Sequence, residues 1–150
     1  MFESALTVLI TGSSVLLFGY WFRYTCLLIL SAKTTRDYAS EVAMANQLSF
    51  LNVQTRLREQ GTADLNELHA SLDRDYALLT YLIHHTNGAN AEFRIEDRML
   101  QINYRLMGMW CKMSRRFSVE AGRQALDEMS MVIAHFANSM GERAAVGAAA

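Results

Sequence analysis

Four histidines have the clearest capacity for metal or haem chemistry in this sequence. His84 and His85 are adjacent, so on a helix their side chains point about 100° apart and cannot share one metal ion. His69 lies on the same predicted helix, whereas His135 lies on another. A di-iron bundle would need paired Glu-x-x-His motifs, and the sequence has none. Two histidines could still hold a haem, and the alternative is that they cap helix ends or meet lipid headgroups.

Sulfur-containing residues form the second candidate set. Cys26 and Cys111 fit neither a disulfide framework nor a zinc-binding spacing. Most of the nine methionines fall at the spacing of a helical core. Adaptable packing is therefore the favoured use, although a methionine-rich groove could also receive a partner helix. We expect no resident metal and no cofactor. The clustered methionines are Met99, Met107, Met109, Met113, Met129, Met131 and Met140.

Basic residues form the third candidate set, because Arg98 to Val119 contains five of them and no acidic residue. Three lie seven residues apart, on one helix face, and could bind phosphate, nucleic acid or an acidic partner. The favoured alternative is pairing with acidic residues inside the domain. The basic set is Arg98, Arg105, Lys112, Arg115 and Arg116, and the acidic set is Asp64, Glu67, Asp73, Asp75, Asp127 and Glu128.

Catalytic motifs are missing from the sequence. It contains no glycine-rich phosphate loop, no His-Glu-x-x-His and no nucleophile elbow. The formal net charge of -1 does not indicate nucleic-acid binding. We therefore expect a protein that is not an enzyme and that has no nucleic-acid partner.

The first 32 residues hold most of the apolar excess of the chain. From Ala5 to Ala32 the one charged residue is Arg23. A helix of that length measures roughly 42 Å, more than the ~30 Å hydrocarbon core of a bilayer. The preferred lipid-embedded part is Ala5 to Phe22, and Glu3 argues against a cleaved signal peptide.

Flanking charges set the expected orientation. Basic Arg23, Lys33 and Arg36 follow the apolar run, whereas Glu3 precedes it. The positive-inside rule then places the N-terminus outside and the following domain in the cytoplasm, across a cell (inner) membrane.

Small residues recur every seven positions along the apolar segment, at Ala5, Gly12, Gly19 and Cys26. They could line a seam where another transmembrane helix approaches closely, or the spacing could be chance. Arg23 also implies a partner if it lies in lipid, because a charge inside a membrane needs a carboxylate or a hydrated pocket.

The rest of the chain predicts four helices joined by short turns, and it contains no proline. The first helix could continue directly from the apolar segment. Gly61, Asn87-Gly88 and Gly141 predict helix ends; Asp64 with Glu67 (or Thr62) and Ser118 predict helix starts. The third and fourth helices carry apolar stripes with spacings of four and three. The predicted helices are 34–60, 63–86, 90–116 and 118–141. The two stripes are Ile95, Met99, Ile102, Leu106, Met109 and Met113, then Val119, Gly122, Leu126, Met129, Ile133, Phe136 and Met140.

The predicted fold class is all-α, with one N-terminal transmembrane helix followed by an antiparallel bundle of about four helices. The expected divisions are an anchor at 1–32, a bundle at 33–142 and an alanine-rich tail at 143–150. The expected function is that of a structural, scaffolding or accessory subunit, self-associating or part of a larger membrane complex. The alternatives are a haem- or metal-binding redox protein and a membrane-tethered signalling module.

Overall fold

The computed structural model describes residues 1–59, 64–86 and 94–150. Over these residues it is helical, without strands, and confirms the predicted fold class of one long apolar helix followed by a helical bundle. The chain divides into two compact units, Met1–Lys33 and Thr34–Ala150. The helices are α1 (Phe2–Ser31), α2 (Ala39–Asn46), α3 (Phe50–Arg58), α4 (Leu65–Thr86), α5 (Ile95–Ser114) and α6 (Val119–Ala149).

Helix α1 forms the first unit and is long and apolar enough to span a membrane. Its hydroxyl groups bond within the helix: Thr7, Ser13 and Ser14 each donate to the carbonyl oxygen four residues earlier, at 2.8–2.9 Å. These bonds satisfy the polar side chains locally, as a helix in lipid requires.

The predicted helix from 34 to 60 is wrong in two respects. It does not continue α1, because α1 ends at Ser31 and Ala32 is extended, with ψ 122°. It is also divided into α2 and α3 by Gln47, which has a left-handed backbone with φ 53°. A non-glycine residue in this conformation ends a helix at some energetic cost. The domain therefore has five helices in its described part where four were predicted.

Helix starts follow the capping prediction where the structure describes them. The Asp64 side chain accepts from the Asn66 backbone N–H at 2.9 Å, while Glu67 faces Arg56 at 3.5 Å instead of closing a capping box. Ser118 caps α6, because its hydroxyl accepts from the Ala121 N–H at 3.3 Å. Outside the described residues lie the predicted helix ends or starts at Gly61, Thr62, Asn87 and Gly88, and the predicted start of the third helix near Asn90.

The predicted end of the last helix at Gly141 is wrong, since α6 continues to Ala149 through the expected alanine-rich tail. Gly141 is buried where the chain before α2 crosses α6. A Cβ at this position would overlap the Tyr38 side chain, so the glycine permits the close approach. Beside it, the Asn138 side-chain oxygen accepts from the Tyr38 N–H at 2.7 Å.

Helix α6 is the centre of the second unit, and α2, α3, α4 and α5 all pack against it. Its predicted stripe is buried except at the two ends, where Val119 is exposed and Met140 is half-buried. Helix α4 also carries an apolar stripe, in which Leu68, Leu72 and Leu79 are buried. Burial of these apolar side chains is the main contribution to the stability of such a domain.

Candidate functional site

The histidines are distributed over three settings. His69 is buried, with its Nε2 atom 3.5 Å from the Asp73 Oδ2 atom. Burial lowers the pKa of His69 and of half-buried His135, although nearby carboxylates act in the opposite direction. His84 and His85 are exposed at the end of α4. Among the described residues, no three histidine, cysteine or acidic side chains are grouped so that they could hold a metal ion.

Helix α5 is held against α4 by a tyrosine pair. The Tyr76 and Tyr104 rings stack in parallel with centroids 4.0 Å apart. The Tyr104 hydroxyl donates to the Asp73 Oδ1 atom at 2.9 Å. Burial, reinforced by the Asp73 charge, raises the pKa of Tyr104 far above its ordinary value, so the phenol stays protonated and keeps donating.

Helix α5 is held against α6 by buried polar contacts. The Asn103 side-chain amide donates to the Glu128 Oε1 atom at 2.7 Å, and both residues are buried. Near the start of α5, buried Asp97 pairs with Arg143 at 3.2 Å. Contacts of this kind require one rotation of α5 about its axis, because each buried polar group needs its own partner.

This rotation places the predicted α5 stripe in solvent. Ile95 is 78% exposed, Met109 is 62% exposed and Leu106 is 39% exposed, whereas Met99 is half-buried. The methionines of this stripe were expected to pack in the domain core, and for exposed Met109 and Met113 that expectation is wrong. Trp110 and Phe117 extend the exposed apolar surface. The apolar face comprises Ile95, Ile102, Leu106, Met109, Trp110, Met113 and Phe117.

The basic residues border this apolar face. Arg98, Arg105, Lys112 and Arg116 are exposed. Within the described part of the chain, none of these four forms an ion pair shorter than 4 Å. Arg115 differs, because its guanidinium donates to the Asn66 side-chain oxygen.

The acidic residues expected to pair with this basic set make other contacts. Asp75 accepts from the Ser49 N–H at 2.7 Å at the start of α3, and Asp73 binds Tyr104. Glu67 faces Arg56, and Glu128 accepts from Asn103. The expected pairing of the basic set with acidic residues inside the domain is thus absent among the described residues, and the side chains of Arg98, Arg105, Lys112 and Arg116 are available to a partner.

The small-residue seam predicted on α1 stays a prediction. Ala5, Gly12 and Gly19 are exposed, and a Cβ added at either glycine would have no neighbour within 4 Å. Arg23 is half-buried and Cys26 is buried. The glycines therefore leave room for another helix to approach, without showing that one does.

The exposure of the α5 face was missed at the level of sequence, although a signal for it was present. The residues at positions 95, 99, 102, 106, 109 and 113 repeat as the two core positions of a coiled coil. Arg98, Arg105 and Lys112 recur at the flanking position that contacts a partner helix. A stripe bordered by charges of one sign is typical of an interface between helices as well as of a domain core.

Comparison of the chain with protein-family models, with curated proteins and with solved structures gives no match.

Proposed function

We propose that this chain is a single-pass membrane protein acting as an accessory or scaffolding subunit of a membrane-bound assembly, without enzymatic activity. Helix α1 is the anchor, and the domain formed by α2 to α6 is a docking module. The observation that carries the proposal is the exposed apolar face of α5 on a domain that buries the apolar stripes of α4 and α6. Contiguous apolar surface bordered by charge marks an interaction site.

The length and composition of α1 support the anchor. Its 30 residues measure roughly 45 Å as a helix, enough to cross a bilayer with tilt. Tyr20, Trp21 and Tyr24 are exposed near Arg23, as expected for an aromatic belt beside a snorkelling arginine.

Flanking charge supports an orientation with the domain in the cytoplasm. Lys33 and Arg36 follow α1 and are exposed, and Glu3 lies in its first turn. By the positive-inside rule, the basic flank stays on the cytoplasmic side of a cell (inner) membrane, and the N-terminus of α1 then lies outside.

Fractionation of cells producing the full chain tests the anchor. We expect the protein in the membrane pellet after a carbonate wash, and a reporter fused to the C-terminus should be protected from external protease. Replacing both Leu9 and Leu16 by arginine should release the protein from the membrane pellet, since each charge costs roughly 2.5–3.5 kcal/mol in a bilayer. Leu51→Arg, on an exposed position of α3, is the matched control and should stay in the pellet.

Release of the unaltered chain by carbonate would overturn the anchor. Purification in mild detergent tests the docking module separately. We expect an oligomer or a co-purifying partner, and a monomer without any partner would contradict the docking role while leaving the anchor intact.

A further inference from the structure

The exposed face of α5 has the spacing of a coiled-coil seam. Apolar residues alternate at intervals of four and three from Ile95 to Met113, about three heptads. In heptad notation Met99, Leu106 and Met113 are a positions, and Ile95, Ile102 and Met109 are d positions. We call these six residues the α5 seam.

We propose that the α5 seam pairs with the α5 seam of a second copy of this chain, in parallel and in register. The charges beside the seam support this occupant and this orientation. Arg98, Arg105 and Lys112 occupy the g positions, and all are exposed. In an antiparallel pair g positions face g positions, so these like charges would repel one another.

A parallel pair places each g position beside an e position of the other copy instead. The e positions hold Glu96, Asn103 and Trp110, and Phe117 follows at the same spacing just after α5 ends. Arg105 would then lie beside the partner copy's Trp110, and Lys112 beside the partner copy's Phe117. A cation over an aromatic ring is attractive, so parallel pairing replaces repulsion with two favourable contacts in each direction.

Membrane anchoring supports pairing with a second copy, and in this respect the inference rests on the proposed function. Two copies inserted in one membrane can be related by a two-fold axis along the membrane normal. Such an axis closes the assembly at two copies. Confinement to a membrane also raises the effective concentration, which favours a seam of only about three heptads.

A lipid surface fits the same face less well. A helix lying in a bilayer interface carries basic residues along its polar face, on both sides of its apolar stripe. On α5 the basic row borders one side of the seam, whereas the other side holds the acidic side chain of exposed Glu96, buried Asn103 and the indole of Trp110. One-sided basic charge fits a helix pair with a defined direction.

Cysteine cross-linking of the full chain in native membranes tests the pairing. The background carries Cys26→Ala and Cys111→Ala, and single cysteines replace Ile102, Leu106 or Met109. A disulfide needs Cα atoms within roughly 7 Å, a separation that in-register a and d positions of a parallel pair approach. We expect oxidation to give a dimer band near twice 17.0 kDa for each variant. Ala77→Cys, exposed on α4, is the matched control and should stay monomeric.

Three other outcomes overturn the inference. Cross-linking only between copies carrying Leu106→Cys and copies carrying Ile102→Cys or Met109→Cys would show antiparallel pairing, in which a positions face d positions. No dimer from membrane-embedded protein would show that a second copy does not cover the seam, and quenching of a fluorophore at position 109 by labelled lipid would assign the face to the bilayer. If the protein is instead found in the soluble fraction, the anchor fails, while a symmetric cross-link there would still support the seam.

A second measurement avoids any dependence on the cysteine-free background. Energy transfer between donor- and acceptor-labelled copies of the otherwise unaltered chain in liposomes reports association. We expect Met109→Glu to weaken it at least about tenfold, because the carboxylate would be buried without a partner. Met44→Glu, at a side chain 74% exposed on α2, is the matched control and should leave it unchanged. Equal transfer for both variants would contradict the pairing.

Discussion

Helices α5 and α6 carry apolar residues at the same alternating spacing, but the α6 stripe is buried in the domain and the α5 stripe is exposed. Leu126, Met129 and Ile133 on α6 are fully buried, whereas Ile102, Leu106 and Met109 on α5 face solvent. The difference lies in the opposite face of each helix. Asn103 and Tyr104 on α5 have specific partners on α6 and α4, and those partners fix which side of α5 points inward. Apolar spacing thus predicts a helix with an interface, and buried polar contacts decide where that interface lies.

A matched pair of leucine truncations gives the largest expected difference between the two helices. Leu126→Ala removes a fully buried side chain and should lower the free energy of unfolding by about 2–5 kcal/mol. Leu106→Ala removes a side chain that is 39% exposed and should cost less than about 1.5 kcal/mol. Denaturant unfolding of dilute, detergent-solubilised protein measures both. Equal losses would show that the α5 stripe is part of the core.

The next largest effect should come from the contact between α5 and α6. Asn103→Ala removes the donor that lies 2.7 Å from the Glu128 carboxylate, so unfolding should become easier by about 1–3 kcal/mol. Asn103→Asp is a sharper probe, because it places a second carboxylate beside the first. A loss smaller than that of Leu106→Ala would show that this contact does not fix the rotation of α5.

A smaller effect is expected from the contact between α5 and α4. Tyr104→Phe keeps the ring stacked on Tyr76 and removes the hydroxyl that donates to half-exposed Asp73. The expected loss of unfolding free energy is about 1 kcal/mol. Tyr81→Phe, at an exposed ring, is the control and should have no effect. A Tyr104→Phe variant as stable as the unaltered chain would assign the contribution to the stack alone.

The smallest effect is a pH dependence of stability. The pKa of His135 is lowered in the folded domain, mainly by burial, so below its ordinary value of 6.5 the unfolded chain binds a proton that the folded chain does not. Stability should therefore fall as the pH drops below about 6.5, until the folded-state pKa is passed. His69 acts in the same direction. His135→Gln should reduce the change in melting temperature between about pH 7.5 and about pH 5.5, and an unchanged dependence would contradict this assignment.

Local sequence signals predicted much of the fold. The apolar run predicted α1, and Ser118 and Asp64 predicted two helix starts because their side chains cap the next turn. The division between α2 and α3 was not predictable in this way. It depends on Gln47 adopting a left-handed backbone and on Asp75, 26 residues from Ser49, capping the start of α3. Such long-range contacts leave no periodic pattern in the sequence.

The sequence predicted which residues form the candidate site, but it did not predict that they face solvent. The basic residues from Arg98 to Arg116 were identified from spacing, whereas their release from internal pairing follows from where Asp73 and Glu128 point. The orientation of α5 depends on the contacts of Asn103 and Tyr104 with two other helices. A single sequence gives the faces of a helix and cannot say which face the rest of the domain will cover.

Methionine oxidation shows whether the domain buries the α6 stripe and exposes the α5 stripe, because each stripe carries a methionine. Met109 is 62% exposed and Met129 is fully buried. The full chain, kept dilute in detergent so that copies are separate, is treated briefly with peroxide and analysed by mass spectrometry. We expect Met109 to form sulfoxide much faster than Met129, at a rate close to that of exposed Met44. Protection of Met109 equal to that of Met129 would contradict this expectation, since the α5 stripe would then be buried in the domain itself.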